Sequence, residues 1–169
     1  MTEVYVAAGS NVEAAANLRR ALDVLARHYP GLRHSRAYRN AAVGFEGEDF
    51  VNLVVGFETS EDVRAVIAHL HEAEAACGRA RNAPKWAPRA MDLDILLYGA
   101  MICDEPGLVL PRPDLARRAY MLRPAAELAP GFQHPTLGIT LRELWRRFDQ
   151  AAHPMQTVDV GWSRQGPAA

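Results

Sequence analysis

Two aspartates two positions apart, Asp92 and Asp94, stand in the run Arg89 to Gly99 (RAMDLDILLYG), where the other residues from Met91 to Tyr98 are apolar. An apolar run ending at a glycine reads as a buried strand. In a strand the side chains at i and i+2 share a face. Two like charges held together on an apolar element repel and are poorly solvated, so a cation must sit between them. A divalent metal is the simplest cation. Oxygen-only ligation by carboxylates suits Mg²⁺, above all when substrate phosphates complete the shell.

Just upstream, Arg79, Arg81, Lys85 and Arg89 fall within eleven residues, interleaved with Gly78, Pro84 and Pro88. That spacing is too broken for a helix and reads as a mobile basic loop leading into the acidic strand. Cations beside a carboxylate pair fit a metal–polyphosphate complex, with metal bridging carboxylate to phosphate and arginine holding the remaining oxygens. Trp86 in the same loop is suited to cover a nucleotide base or sugar. Taken singly, a DxD pair can be structural, each aspartate paired with an arginine, and a basic loop can be a solvated face. Their adjacency favours the site.

The elements that position these residues follow from periodicity. Glu3 to Ala8 alternates and is β-rich, and Gly9-Ser10-Asn11 is a turn in which Ser10 or Asn11 can cap a helix. Leu18, Ala21, Leu22 and Leu25 give helical spacing over Ala14 to His28, stopped by Pro30-Gly31. Leu32 to Arg39 reads as a second strand, Asn40 to Asp49 as a loop, and Phe50 to Glu58 as a third strand. Thr59 or Ser60 is expected to cap a long helix over Glu61 to Cys77, with Asp62 in capping-box position. After the aspartate strand come a short return through Met101 to Cys103 and a loop rich in proline. Helical pieces over Asp114 to Arg118 and Tyr120 to Leu128 follow, then a last helix over Leu141 to Phe148. From Gln150 the chain is polar and is expected to be a loose tail. The order β-α-β-β-α-β predicts an α+β, ferredoxin-like βαββαβ sandwich with additional C-terminal strands and helices, its helices on one face of the sheet.

At 169 residues, 49% apolar and 23% charged, the chain reads as one soluble domain over 1–169. A net charge of −1 implies no general attraction to polyanions. The lone cysteines Cys77 and Cys103 have no metal-ligand spacing, and Cys77 reads as a small core residue. The sequence shows no long apolar stretch or signal-peptide pattern, so a cytoplasmic monomer with no membrane or nucleic-acid partner is expected.

Laid out in this way, the chain resembles the 6-hydroxymethyl-7,8-dihydropterin pyrophosphokinases of folate biosynthesis from Val4 to about Leu128. Four patches carry the resemblance: Val6 to Asn11 (VAAGSN); Phe50-Val51-Asn52 leading to Glu58-Thr59; Glu74 through Arg81 and then Lys85 to Gly99; and Leu110-Pro111 with Arg118 to Pro124. The third is highly specific. The resemblance implies an ATP-dependent enzyme that moves the terminal pyrophosphate of ATP onto the pterin hydroxymethyl oxygen and releases AMP. It implies two Mg²⁺ ions on Asp92 and Asp94, with Asp94 helping to take up the proton. Arg79 and Arg89 would neutralise charge developing during transfer. ATP would be held by Glu74, His71, Arg81, Trp86, Arg89, Ile95, Arg112 and Arg118. The pterin would lie between Phe50 and Tyr120, with its edge read by Asn52 and by Asn40, Val43 and Gly44, and with Asp92 beside it. Departures are Ala41-Ala42 where the family often has prolines, His71 where a Gln often sits, Val109 where a Thr can occur, and Arg112 where many members have His. These last three are expected on the ATP side, away from the metals.

Two other functions use some of the same residues. A two-metal nucleotidyl or glycosyl transferase would use the carboxylate pair but leaves Phe50, Asn52 and Tyr120 without a task. A ferredoxin-like RNA-binding module would need a basic surface with exposed aromatics, whereas the one basic cluster here precedes two acids.

Overall fold

Alternating apolar residues on both sides of a glycine-poor strand let β1 (Thr2–Ser10) run through the middle of the protein, buried from Val4 onward. In the computed structural model, residues 1–40, 49–78 and 90–163 are described. Helix α1 (Ala14–His28) follows, then the short strands β2 (Arg33–His34) and β3 (Ala37–Asn40), β4 (Phe50–Thr59), α2 (Val63–Ala76) and β5 (Asp92–Tyr98). The sheet order β5-β1-β4-β3, antiparallel at each of these pairings, is the ferredoxin-like arrangement expected from the element order.

Several local expectations differ from what forms. The second strand divides because Ser35 enters the ladder with its side chain: its Oγ accepts from the Val54 amide at 2.9 Å and donates to the Arg36 carbonyl. Neither Ser10 nor Asn11 caps α1. The N-cap is Glu13 at φ 41°, with no side-chain cap, while Asn17 reaches back to donate to the Val12 carbonyl at 2.7 Å. Helix α2 starts later than expected because Asp62 is its cap, accepting from the Ala65 amide at 2.8 Å. Thr59 instead accepts from the Glu61 amide at 3.0 Å. The expected return after Gly99 is a hairpin, β6 (Cys103–Glu105) with β7 (Leu108–Leu110).

Helices cover both faces of the sheet, not one. On one side α1 and α2 bury Leu18, Leu22, Leu25, Val66 and Leu70 against Val4, Val6, Leu53 and Val55, with Cys77 in the same core. On the other, a 3-10 turn (Pro113–Ala116) and α3 (Ala119–Leu128) pack Leu115, Met121, Leu122 and Ala125 over Tyr5, Ala7 and Val54. Helix α4 (Leu141–Arg147) adds Leu141 and the half-buried Trp145. Apolar residues among the proline-rich segments had a second sheet face to cover, because β1 is buried on both sides.

The stretch from Gln150 to Ser163 is not a loose tail. Strand β8 (Gln156–Val158) pairs with β3 and extends the sheet. Val160 is buried beside α1, its carbonyl accepts from Arg19 at 2.7 Å, and Trp162 Nε1 donates to Asp23 at 2.9 Å. The alternation Val158, Val160, Trp162 carries this signal within a polar context. Trp162→Ala is expected to cost about 1–2 kcal/mol, less than a fully buried tryptophan, and to lower the thermal midpoint by roughly 2–8 °C. Scanning calorimetry checks this, and an unchanged midpoint would mean the tail contributes no stability.

His134 gives the fold a pH dependence. The ring is 4% exposed, and its Nδ1 accepts from the amides of Thr136 and Leu137 at 3.3 and 3.2 Å. Burial holds its pKa below the ordinary 6.5. The unfolded chain therefore binds this proton more readily than the folded one. Stability is complete above the unfolded pKa and falls as pH drops through it, until the folded pKa is passed, with a slope of at most about 1.4 kcal/mol per pH unit. In urea titrations across this range, His134→Asn, which retains an acceptor, is expected to lose that part of the slope.

Candidate active site

The site is built at the end of the sheet where β1 and β3 finish and β4 and β5 begin. Gly9 pairs with Asp92 on one side and Asn52 on the other, and Asn52 pairs with Tyr38. These four positions form one row across the sheet. Two residues earlier on β1, Ala7 pairs with both Asp94 and Val54. Ala7 and Val54 belong to the α3-side core, whereas Leu93 and Ile95 belong to the α1/α2-side core. Asp92 and Asp94 therefore share the α3 face, as the i, i+2 spacing requires. A register irregularity opposite Tyr5 and Val6 inserts Leu96 as an extra residue, so Leu96 and Leu97 both serve the α3-side core. The aspartates lie before this irregularity, on the regular part of the ladder.

Backbone anchors fix the start of β5. The Glu74 carboxylate, near the C-terminal end of α2, accepts from the Leu93 amide at 3.1 Å, between the two aspartates in sequence. Ser10 Oγ donates to the Ala90 carbonyl at 2.6 Å, where the chain returns from residues 79–89. Asn11 Oδ1 is buried nearby in sequence with no hydrogen-bond partner among the described residues. The bonding of Ser10 and Glu74 was not legible from residue type or spacing, since both partners are main-chain atoms on other elements.

On the α3 face Arg112 Nη1 lies 3.5 Å from Asp94 Oδ1, and its Nε lies 3.6 Å from Asp114. The Arg112 amide donates to the Leu96 carbonyl at 2.9 Å, which ties this segment to β5. Arg112 thus stands at the carboxylate pair, not away from it as expected. Burial pushes the half-buried Tyr120 hydroxyl above its ordinary pKa, the Arg118 cation lowers it, and Asp114 and Asp94 raise it further. Tyr120, Arg118, Asp114, Asp94 and Arg112 therefore share one electrostatic neighbourhood. Asp114 was not singled out by the sequence.

Asn52 is 8% exposed, and its Nδ2 donates to Asn40 Oδ1 at 2.5 Å. Its Oδ1 lies so close over Gly9 that a Cβ there would overlap it. The carboxamide is thereby held between the end of β3 and Gly9 of β1. Phe50 precedes Asn52 by two residues on β4 and shares its face, half-buried.

Not every expected residue joins this group. Ile95 is 7% exposed and turned into the α1/α2-side core, so its side chain is on the opposite face from the aspartates. His71 is exposed on α2, three residues before Glu74, and Val109 is exposed on the hairpin. Arg79, Arg81, Trp86 and Arg89 lie outside the described residues, as do Val43 and Gly44. Of the described residues that border segments 41–48 and 79–89, Asn40 and Phe50 pair at this end of the sheet and Ala90 is bonded to Ser10 there.

Oxygen donors side by side, an arginine against one of them, and a carboxamide beside a glycine suit a phosphate-bearing substrate next to a flat polar ring. Comparison with known proteins agrees. Residues 5–130 match the model of the 7,8-dihydro-6-hydroxymethylpterin-pyrophosphokinase family. Relatives called 2-amino-4-hydroxy-6-hydroxymethyldihydropteridine pyrophosphokinase occur in Methylorubrum extorquens (37% identical over 155 residues, 88% of this chain and 95% of the relative) and in Pseudomonas aeruginosa (36% over 137 residues, 78% and 83%). Among solved structures, the wild-type HPPK-DHPS of Plasmodium falciparum with pteroate superposes with a TM-score of 0.69 at 12% identity, covering 86% of this chain and 44% of that one. At that identity the likeness speaks for the fold alone, and the chain spans less than half of that longer protein.

Proposed function

The chain belongs to the 7,8-dihydro-6-hydroxymethylpterin-pyrophosphokinase family, and we propose that the sheet end just described is where it transfers pyrophosphate from ATP to 6-hydroxymethyl-7,8-dihydropterin. It is a pyrophosphokinase of folate biosynthesis, an ATP-dependent diphosphotransferase. The observation that carries the placement is the row Asp92–Gly9–Asn52, which sets a metal-type carboxylate beside a ring-reading carboxamide.

Asp92 and Asp94 offer hard oxygen donors on one face, which fits Mg²⁺ and not a thiophilic metal. Two bound Mg²⁺ ions would supply charge neutralisation for the triphosphate and a lower pKa for the pterin hydroxyl. The protein's own groups do the rest. Asn52 offers a donor and an acceptor to the pterin edge, with Asn40, Val43 and Gly44 beside it, and Phe50 and Tyr120 cover the ring faces. The hydroxymethyl oxygen forms its bond to the β-phosphorus as the bond from that phosphorus to the α,β-bridging oxygen breaks. AMP leaves with the electron pair, and the hydroxyl proton passes to an Asp94 carboxylate oxygen. Positioning and charge carry most of the effect in such transfers. Arg112 and Arg118 supply cations to the phosphates, and Glu74 keeps the strand in register through Leu93. Arg79, Arg81, Trp86 and Arg89 close over ATP, with Arg79 and Arg89 meeting the charge that develops on transfer.

The unit is a single domain over 1–169 acting as a cytoplasmic monomer on these small molecules. Among the described residues no helix is long and apolar enough to cross a membrane. Incubation with ATP, Mg²⁺ and 6-hydroxymethyl-7,8-dihydropterin is expected to yield AMP and the pterin diphosphate in equal amounts. ADP or free pyrophosphate as the nucleotide-derived product would overturn the reading.

A further inference from the structure

A second group of ligating side chains lies on the opposite layer of the protein, between α1 and α2. His28 Nε2 is 2.6 Å from Glu72 Oε2, and His69 Nδ1 is 3.7 Å from the same oxygen. The two imidazoles stack with centroids 3.7 Å apart and planes 28° from parallel. One ligand atom from each of His28, His69 and Glu72 falls within 4.8 Å of the other two. Ligand atoms around tetrahedral zinc, at about 2.0–2.2 Å from the metal, lie roughly 3.4 Å from one another, so closing the group on an ion requires the two stacked rings to turn until both planes meet at it.

The surroundings prepare these groups for a metal. The other nitrogen of His69, Nε2, lies 2.9 Å from Glu61 Oε2. With a proton on Nε2 shared with that carboxylate, Nδ1 would be the nitrogen left to ligate. Carboxylates in this position orient metal-bound histidines and raise their basicity. Glu61 is itself fixed: Tyr29 donates to its Oε1 at 2.7 Å, and Tyr98 donates to its backbone carbonyl. His28 and Glu61 also line an open groove of ≈ 640 Å³, which gives solvent a path to the group.

We propose that His28, His69 and Glu72 form a binding site for Zn²⁺ or a similar imidazole-seeking divalent cation, with Glu61 as the group that orients His69. Two nitrogens and one carboxylate oxygen make a three-ligand set with a fourth position left for water. The donors differ in kind from the all-oxygen pair of Asp92 and Asp94, and the sheet separates the two sites. The site neither uses nor requires the pyrophosphokinase reading.

The test titrates metal-free, untagged full-length protein with Zn²⁺ against a chromophoric chelator, in excess Mg²⁺ to mask oxygen-only sites. One equivalent of Zn²⁺ is expected to bind. His28→Ala and His69→Ala are each expected to weaken it at least about tenfold, and Glu72→Gln, which preserves shape, by a similar factor. Co²⁺ in place of Zn²⁺ should give visible d–d bands and paramagnetically shift the ring protons of His28 and His69. Zn²⁺ at a hundredfold excess over its Kd should raise the unfolding midpoint by roughly 5–10 °C, a shift that shrinks in the variants. Circular dichroism of each variant separates loss of the site from loss of the fold, and Glu72→Gln keeps the test valid should a histidine variant not fold. Zn²⁺ binding of unchanged affinity in Glu72→Gln and His69→Ala would put the metal elsewhere. Histidine rings that take up protons but retain no Zn²⁺ would equally overturn the site.

Discussion

Replacing Asp94 by asparagine is expected to slow AMP formation by about 10³-fold, the scale on which loss of a preorganised charge in a closed site acts, while the protein stays folded. The variant has nearly the same volume and keeps an oxygen, so packing is preserved. It loses a full charge among phosphates and the oxygen assigned to take the pterin proton. Stability should barely change, because Asp94 is a third exposed and its contact with Arg112 is a 3.5 Å pair at partial exposure, worth about 1 kcal/mol or less. Removing one of two neighbouring like charges also relieves repulsion with Asp92. Rate and stability are thus expected to separate, which distinguishes this position from a merely structural aspartate. Asp92→Asn should behave alike, and binding of Mg²⁺–ATP followed by titration calorimetry should weaken in both. An Asp94→Asn enzyme turning over near the wild-type rate, or nucleotide binding indifferent to both carboxylates, would remove the metal assignment.

How legible the site was depends on the kind of interaction. Asp92 and Asp94 were readable because the two-residue period of a strand fixes their common face whatever surrounds it. The βαββαβ order followed likewise from local periodicity, and α1 begins and ends where its apolar spacing predicts. Interactions between distant segments were less visible. Arg112 was expected beside the nucleotide and away from the metals, yet its backbone bond to Leu96 carries the guanidinium to Asp94. Nothing local in Pro111-Arg112-Pro113 predicts which strand will receive it. The helical pieces over Tyr120 to Leu128 and Leu141 to Phe148 form as α3 and α4, but the sheet face they cover was not legible, because each is too brief for its periodicity to show what it packs against. The tail's polar composition hides its order, which is carried by the apolar alternation Val158, Val160 and Trp162. The irregularity at Leu96 could not be read either, since a continuous apolar run does not reveal where its parity changes.

The glycine near the end of β1 offers a second large effect, because its role is steric. Gly9 sits between Asp92 and Asn52 in the row across the sheet, and a methyl group there would overlap the Asn52 side-chain oxygen. Gly9→Ala is therefore expected to push the carboxamide off β1 and break its bond to Asn40. Overpacking of this kind costs about 1–3 kcal/mol. The displaced carboxamide can no longer meet the pterin edge, and a misplacement near 1 Å can cost about 10²-fold in kcat/KM. The loss should fall on the pterin and spare the nucleotide, since Asp92, Asp94 and the arginines remain where they were. Adding Asn52→Ala to Gly9→Ala tests the cause. Removing the obstructing side chain should restore most of the lost stability, giving a coupling of roughly 0.5–3 kcal/mol between the positions, and yet leave the pterin KM high. Denaturant titration and steady-state kinetics on the wild type, the two single variants and the double variant supply the cycle. Were Gly9→Ala to retain the wild-type KM for the pterin, the carboxamide over β1 would not be the group that reads the ring.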